Sequence, residues 1–153
     1  MEASDSFGAD SHMIGLIVIT HGDFGRQLIK AAQVILGEQK EVWALSLHEK
    51  DGLETLRERI GKILKEGSEQ SEGKIVLVDM IGGTPANASL KFVNDEKVEI
   101  ISGVNLPMLI AGMNYRQSLP LKELARLIRQ KGEESIVDVK QKFLEKVSKV
   151  KNK

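Results

Sequence analysis

His21 is the residue in this chain best suited to covalent chemistry. It follows the short apolar run Ile14-Gly15-Leu16-Ile17-Val18-Ile19-Thr20 and precedes Gly22 and Asp23. An imidazole titrates near a pH of about 6.5, so around neutrality it keeps a lone pair and is a good nucleophile toward phosphorus. The P–N bond it forms is labile enough for the group to move on. Such chemistry needs one ring nitrogen free and the other held. A carboxylate that accepts the held N–H fixes tautomer and orientation and stabilises the charge developing on the ring. Asp79, which closes the apolar run Ile75-Val76-Leu77-Val78, is the best-placed carboxylate. The residues alone leave a second reading open, a strand-end histidine satisfied by a backbone carbonyl.

The segment after Asp79 is Met80-Ile81-Gly82-Gly83-Thr84-Pro85. Gly82 and Gly83 let the backbone bend and approach a ligand closely. Thr84 reads as an N-cap and Pro85 as the first helical residue. A helix starting there points free N–H groups and its positive dipole end into the site, which suits a phosphate or another anion. A plain glycine turn before a capped helix explains the same residues. Neither GxGxxG nor GxxxxGK[ST] occurs, so no dinucleotide or Walker A loop is expected. His48, beside Glu49, Lys50 and Asp51, reads as a solvated loop histidine. Asp23 near His21 lacks any strong metal-ligand spacing, and no metal or cofactor is expected. Without a GxSxG elbow a serine hydrolase is not expected. Trp43, Phe92 and the methionines read as core residues.

The elements that must position these residues alternate. Ile14–Thr20 reads as a buried strand. Phe24, Leu28, Ile29, Ala32, Ile35 and Leu36 recur at helical spacing up to Gly37. Val42–Leu47 is a second strand. Leu53, Leu56, Ile60, Ile63 and Leu64 mark a second helix with Asp51 as N-cap. Lys74–Asp79 is a third strand, buried on both faces. Thr84–Val93 is a short helix, Val98–Ser102 a fourth strand, and Leu106–Met113 and Leu121–Gln130 further helices. Glu134–Val139 reads as a fifth, edge strand or as the start of a last helix. This alternation implies an α/β doubly wound parallel sheet with helices on both faces. Ligands of such sheets bind outside the carboxyl ends of the strands, where strand order reverses. The strand ends here are Thr20-His21-Gly22, Val78-Asp79 and Ser102-Gly103-Val104-Asn105. If the first strand lies beside the third, His21 and Asp79 become neighbours.

The chain has 153 residues, 22 Lys plus Arg and 22 Asp plus Glu. One domain is expected. Zero net charge argues against nucleic-acid or membrane binding as the main task. There is no cysteine, so disulfides and thiolate chemistry are excluded. Residues 1–12 read as an expression tag, 13–140 as the domain and 141–153 as a basic tail. The tail carries Lys140, Lys142, Lys146, Lys149, Lys151 and Lys153, with Val139, Phe143, Val147 and Val150 on one helical face. It reads as a frayed amphipathic helix with a solvated basic side, or as a surface for an acidic partner.

Three segments, IGLIVITHGDFGRQLIKAAQVILGE, VLVDMIGGTPANAS and ISGVNLPMLIA, resemble the IIA domain of the mannose-type family of the sugar phosphotransferase system. They occur in the family's order and at the corresponding strand ends, over about Met13 to Lys140. The resemblance implies four parallel strands in the order 2-1-3-4 plus an antiparallel edge strand exchanged between the subunits of a homodimer. It implies a cytoplasmic phosphocarrier that accepts a phosphoryl group from HPr on Nε2 of His21. The group then passes to a IIB component, on a separate polypeptide, and through the membrane IIC and IID components to a sugar. Asp79 takes the orienting role. Thr84 takes the place of a hydroxyl residue that contacts the phosphoryl group, with Gly82, Gly83 and Asn105 in the flanking loops. Two alternatives stand beside this reading: a regulatory module read by its phosphorylation state, and the phosphotransfer subunit of a dihydroxyacetone kinase. The latter lacks the Gly-Gly-[Ser/Thr]-Pro run. A receiver domain phosphorylated on Asp79 would want an acidic pair where Thr20-His21 stands.

Overall fold

The computed structural model describes residues 12–67 and 71–152. The expression-tag reading of the first residues therefore falls almost wholly outside the described chain. The elements run β1 (Gly15–His21), α1 (Phe24–Leu36), β2 (Val42–Leu47), α2 (Leu53–Leu64), β3 (Lys74–Val78), α3 (Thr84–Ser89), β4 (Val98–Ser102), α4 (Leu106–Tyr115), α5 (Leu121–Glu134) and α6 (Val139–Lys151). A 3-10 turn, Leu90–Phe92, follows α3. The strands form one all-parallel sheet in the order β2-β1-β3-β4. This is the doubly wound α/β architecture, with the switch point between β1 and β3.

The continuous apolar runs of β1 and β3 follow from this arrangement, because both central strands are covered on both faces. Alternation along them sorts the core into two layers. Leu16, Val18, Ile75 and Leu77 pack against Ile29 and Ala32 of α1, Met108 and Leu109 of α4, and Leu124 and Ile128 of α5. Ile17, Ile19, Val76 and Val78 pack against Leu56 and Ile60 of α2 and Ala88 of α3. The Ile17–Ile19 face continues to His21, so the ring is delivered to the side of the sheet that α3 covers.

At the opposite, amino-terminal edge of the sheet, Lys74 is buried. Its ammonium donates to the carbonyls of Leu64 and Glu66 at 3.1 and 2.6 Å, past the end of α2. Burial lowers the Lys74 pKa, against the opposing pull of Glu41 and Glu66.

Several boundaries depart from the expectations drawn from sequence. α2 is capped by Gly52, while the Asp51 carboxylate accepts the His48 N–H. α5 does not end at Gln130 but passes through Gly132. A Cβ at Gly132 would meet Met108 Cγ at 2.6 Å, so the glycine is a packing site and not a stop signal. No fifth strand forms among the described residues. The Asp138 side chain accepts the Gln141 N–H and starts α6 at Val139. Between the two helices only residues 135–138 remain, with Ile136 and Val137 exposed. Among the described residues the outer edge of β4 thus has no strand partner.

Gly73, leading into β3, has φ +146°, and a Cβ there would lie 2.2 Å from the Lys97 carbonyl oxygen. That carbonyl accepts the Lys74 N–H. Gly73→Ala should therefore cost about 2–3 kcal/mol. The measurement is a urea titration, in which the midpoint falls and the slope is unchanged.

Candidate functional site

His21 ends β1 and Asp79 follows β3, so the two meet at the carboxyl edge of neighbouring strands. His21 Nδ1 lies 2.7 Å from Asp79 Oδ2, and the His21 backbone N–H donates to the same oxygen at 2.9 Å. The other carboxylate oxygen accepts the Met80 N–H at 2.9 Å. The Asp79 side chain is only 14% exposed, whereas the His21 side chain is 50% exposed. Burial raises the Asp79 pKa, but the hydrogen bonds from the His21 backbone and ring, the ring's charge and the Met80 N–H outweigh it. The net result is a carboxyl held below its ordinary value. An ionised carboxylate can only accept, so Nδ1 carries a proton, and in the neutral ring the lone pair lies on Nε2. The fold brings the two residues together across 58 residues of sequence.

The ring is wedged as well as hydrogen-bonded. A Cβ on Gly83 would sit 3.0 Å from His21 Cε1 and 3.7 Å from Nε2. A side chain there would press on the ring. Gly82 supplies the turn with φ +82°. Gly83, not Thr84, is the N-cap of α3, which moves Thr84 to the first helical position with Pro85 next. The Thr84 hydroxyl is therefore not spent on capping the helix.

Asn105 behaves differently from its expected role in a phosphoryl-binding loop. Its Oδ1 accepts the Met108 N–H, capping α4, and its Nδ2 donates to the Gly132 carbonyl and the Ser135 hydroxyl. These bonds tie the β4–α4 turn to the end of α5, and none reaches His21 or Asp79. Met80 also departs from expectation. It is exposed, not core, as are Ile81 at 82% and Phe24 on the segments either side of His21.

Two supporting residues carried no signal in the sequence reading. Thr20 is fully buried, and its hydroxyl accepts the Gly25 N–H at 2.7 Å. This bond folds the His21-Gly22-Asp23 turn back onto β1. A Cβ at Gly25 would clash with Val18 and Thr20, so the glycine allows the contact. Ser46 on β2 donates to the Asp23 carboxylate at 3.2 Å, and Gly22 N–H donates to the Leu47 carbonyl at 2.8 Å. The turn after His21 is thus fastened on both sides.

A parallel 2-1-3-4 sheet with a carboxylate-held histidine at its switch point defines a class of α/β proteins built around one ring nitrogen. Comparison with known proteins makes the class specific. Residues 15–129 match the family model EIIA-man, described as PTS system fructose IIA component, and the chain belongs to that family. It is 35% identical over 136 residues to the fructose-specific EIIA component of Bacillus subtilis, covering 88% of this chain and 92% of that one. It is 36% identical over 137 residues to the mannose-specific EIIAB component of Escherichia coli K12, covering 88% of this chain and 42% of that one. The EIIA structure from Streptococcus agalactiae superposes with a TM-score of 0.77 at 26% identity, covering 84% of this chain and 99% of that one. Its family therefore serves phosphotransfer in sugar uptake. Among the described residues, no helix is long and apolar enough to cross a membrane.

Two outcomes follow from this geometry. Because the folded Asp79 pKa lies below the ordinary 3.8, its bonds stabilise the fold fully above that value. Their contribution is lost as pH falls through the lower, folded pKa. Urea midpoints measured from pH 6 downward should show this acid loss, and Asp79→Asn should diminish it. Gly83→Ala should displace the ring and shift the His21 Hε1 resonance, with the circular dichroism spectrum unchanged.

Proposed function

We propose that this chain is a phosphocarrier of the sugar phosphotransferase system, with His21 as the carrying residue. The observation that carries the reading is the His21 Nδ1 to Asp79 Oδ2 bond of 2.7 Å, which leaves Nε2 as the nucleophile on a half-exposed ring. In the forward step Nε2 attacks the phosphorus of a phosphohistidine on HPr. The new P–N bond forms as the donor's P–N bond breaks, and the donor imidazole leaves with its electron pair. Asp79 keeps the proton on Nδ1 and offsets the positive charge that the ring acquires. The Thr84 hydroxyl and the backbone N–H groups around Gly82 and Gly83 receive the phosphoryl oxygens. The second step repeats the chemistry outward, to a histidine of IIB. IIC and IID take part only downstream. No cofactor is needed, since the energy resides in the P–N bond.

Both reactants are proteins on this reading, and the surface around His21 suits that. Phe24, Met80 and Ile81 are exposed beside a polar reacting centre. Exposed apolar side chains beside the reacting group suit contact with a protein partner. The reading places the carrier in the cytoplasm, where phosphoenolpyruvate is made.

The homodimer belongs to the same proposal. Among the described residues nothing pairs with the outer edge of β4. A groove along it is lined by Glu99, Ile100 and Ile101 with Lys122, Arg126 and Arg129 of α5. The last residues of α5, Glu133 and Glu134, and the segment Ser135-Ile136-Val137-Asp138 after it are acidic, and that segment carries two exposed β-branched residues. Its charge complements the groove of a second copy, where it would pair with β4 as the antiparallel fifth strand.

Incubation with phosphoenolpyruvate, enzyme I and HPr should yield an acid-labile, alkali-stable adduct that is absent in His21→Ala. Persistence of the label in that variant removes His21 from the mechanism. Asp79→Asn should slow phosphorylation by roughly 10²-fold or more through loss of the correct tautomer. Light scattering at micromolar concentration should give a dimer, and Arg126→Glu/Arg129→Glu should shift it toward monomer. A monomeric native chain contradicts the strand exchange.

A further inference from the structure

α6 differs from every other α-helix of the described chain in burying none of its residues, while α1 to α5 each contribute buried side chains. Val139 is 74% exposed, Phe143 63% and Val150 75%, and Leu144 is exposed as well. A continuous apolar stripe left in water marks a surface with an occupant. At about 100° per residue, Val139, Phe143, Val147 and Val150 fall within one narrow arc, with Leu144 beyond its margin. Lys142, Lys146 and Lys149 border that arc on one side, and Lys140 and Lys151 lie on the other. The face opposite carries Gln141, Ser148 and the helix's sole acid, Glu145. Zero net charge in the whole chain therefore conceals a segregation: a basic α6 and a correspondingly acidic remainder.

The position of the lysines decides between occupants. Lysines at the border of an apolar stripe lay their methylene stems along it and carry their ammonium groups outward. A second copy of α6 seated on this stripe would bring those borders together, like charge against like charge. A bilayer instead receives the apolar stripe at the acyl boundary while the bordering ammonium groups meet lipid phosphates. Thirteen residues span about 20 Å as a helix, too short to cross a hydrocarbon core of about 30 Å but sufficient to lie in its surface. We infer that α6 is an in-plane anchor for an anionic membrane surface. The inference rests on α6 alone and does not depend on the role of His21.

The test is co-sedimentation of the full chain with extruded vesicles, either pure phosphatidylcholine or phosphatidylcholine with about 30% phosphatidylglycerol. The partition constant should be at least about tenfold higher for the anionic vesicles at a salt concentration of ~0.05 M, and should collapse by ~0.5 M. Phe143→Ser/Val150→Ser and Lys142→Glu/Lys146→Glu/Lys149→Glu should each lower it about tenfold or more. Neither variant touches a buried residue, so both should keep the native circular dichroism spectrum. Absence of vesicle binding, equal binding to the two compositions, or undiminished binding by the serine variant would each overturn the anchor. So would a self-association abolished by the serine variant in a chain that ignores vesicles, since the occupant would then be a second copy.

Discussion

The bond between His21 Nδ1 and Asp79 Oδ2 joins two residues 58 positions apart, and most of the structure around it exists to make that distance 2.7 Å. A carboxylate and an imidazole could pair anywhere on a surface and contribute little. Here the carboxylate is largely covered and also accepts two backbone N–H groups, from His21 and Met80. It cannot swing away without leaving those donors unsatisfied. The ring it holds is therefore fixed in tautomer and direction, while its far nitrogen stays accessible. Orientation of the ring is thus supplied by the fold itself.

The sheet produces this arrangement by two simple regularities. Alternation along β1 puts His21 on the same face as Ile17 and Ile19, the face covered by α2 and α3. The strand order then sets β3 directly beside β1, so Asp79 arrives at the same edge. Thr20, on the other face, fastens the outgoing turn through Gly25. Gly83 lets the α3 backbone close the remaining side of the ring. Each support comes from a different element, so the site's geometry depends on the tertiary fold being complete.

Much of this was legible in the residues. The apolar runs of β1 and β3 marked central strands because doubly covered strands have no polar face to alternate with. The polar and glycine residues at the strand ends marked the edge where chemistry gathers. What the residues could not supply was adjacency, because pairing of β1 with β3 is a topological fact. The strand order 2-1-3-4 came only through the family resemblance. Other misses have local causes. The helix expected to end at Gln130 runs on to Glu134, because Gly132 packs against Met108 inside α5. Asn105 looked like a ligand-loop residue, but its three polar contacts are consumed by α4 and α5. Glu134–Val139 read as an edge strand or as the start of a last helix; within the single chain α5 and α6 extend toward Ile136 and Val137 from both sides and leave them outside the sheet. Thr20 drew no attention because a buried hydroxyl reveals its partner only once the turn is folded.

The central claim is that Asp79 reserves Nδ1 and so leaves Nε2 to react. Its most direct test is the regiochemistry of the phosphorylated protein, read by NMR on a sample with 15N-labelled histidine. The account predicts phosphorus coupled to Nε2 of His21, with Nδ1 still protonated and hydrogen-bonded. Phosphorus on Nδ1, or an acyl phosphate on Asp79, would contradict it.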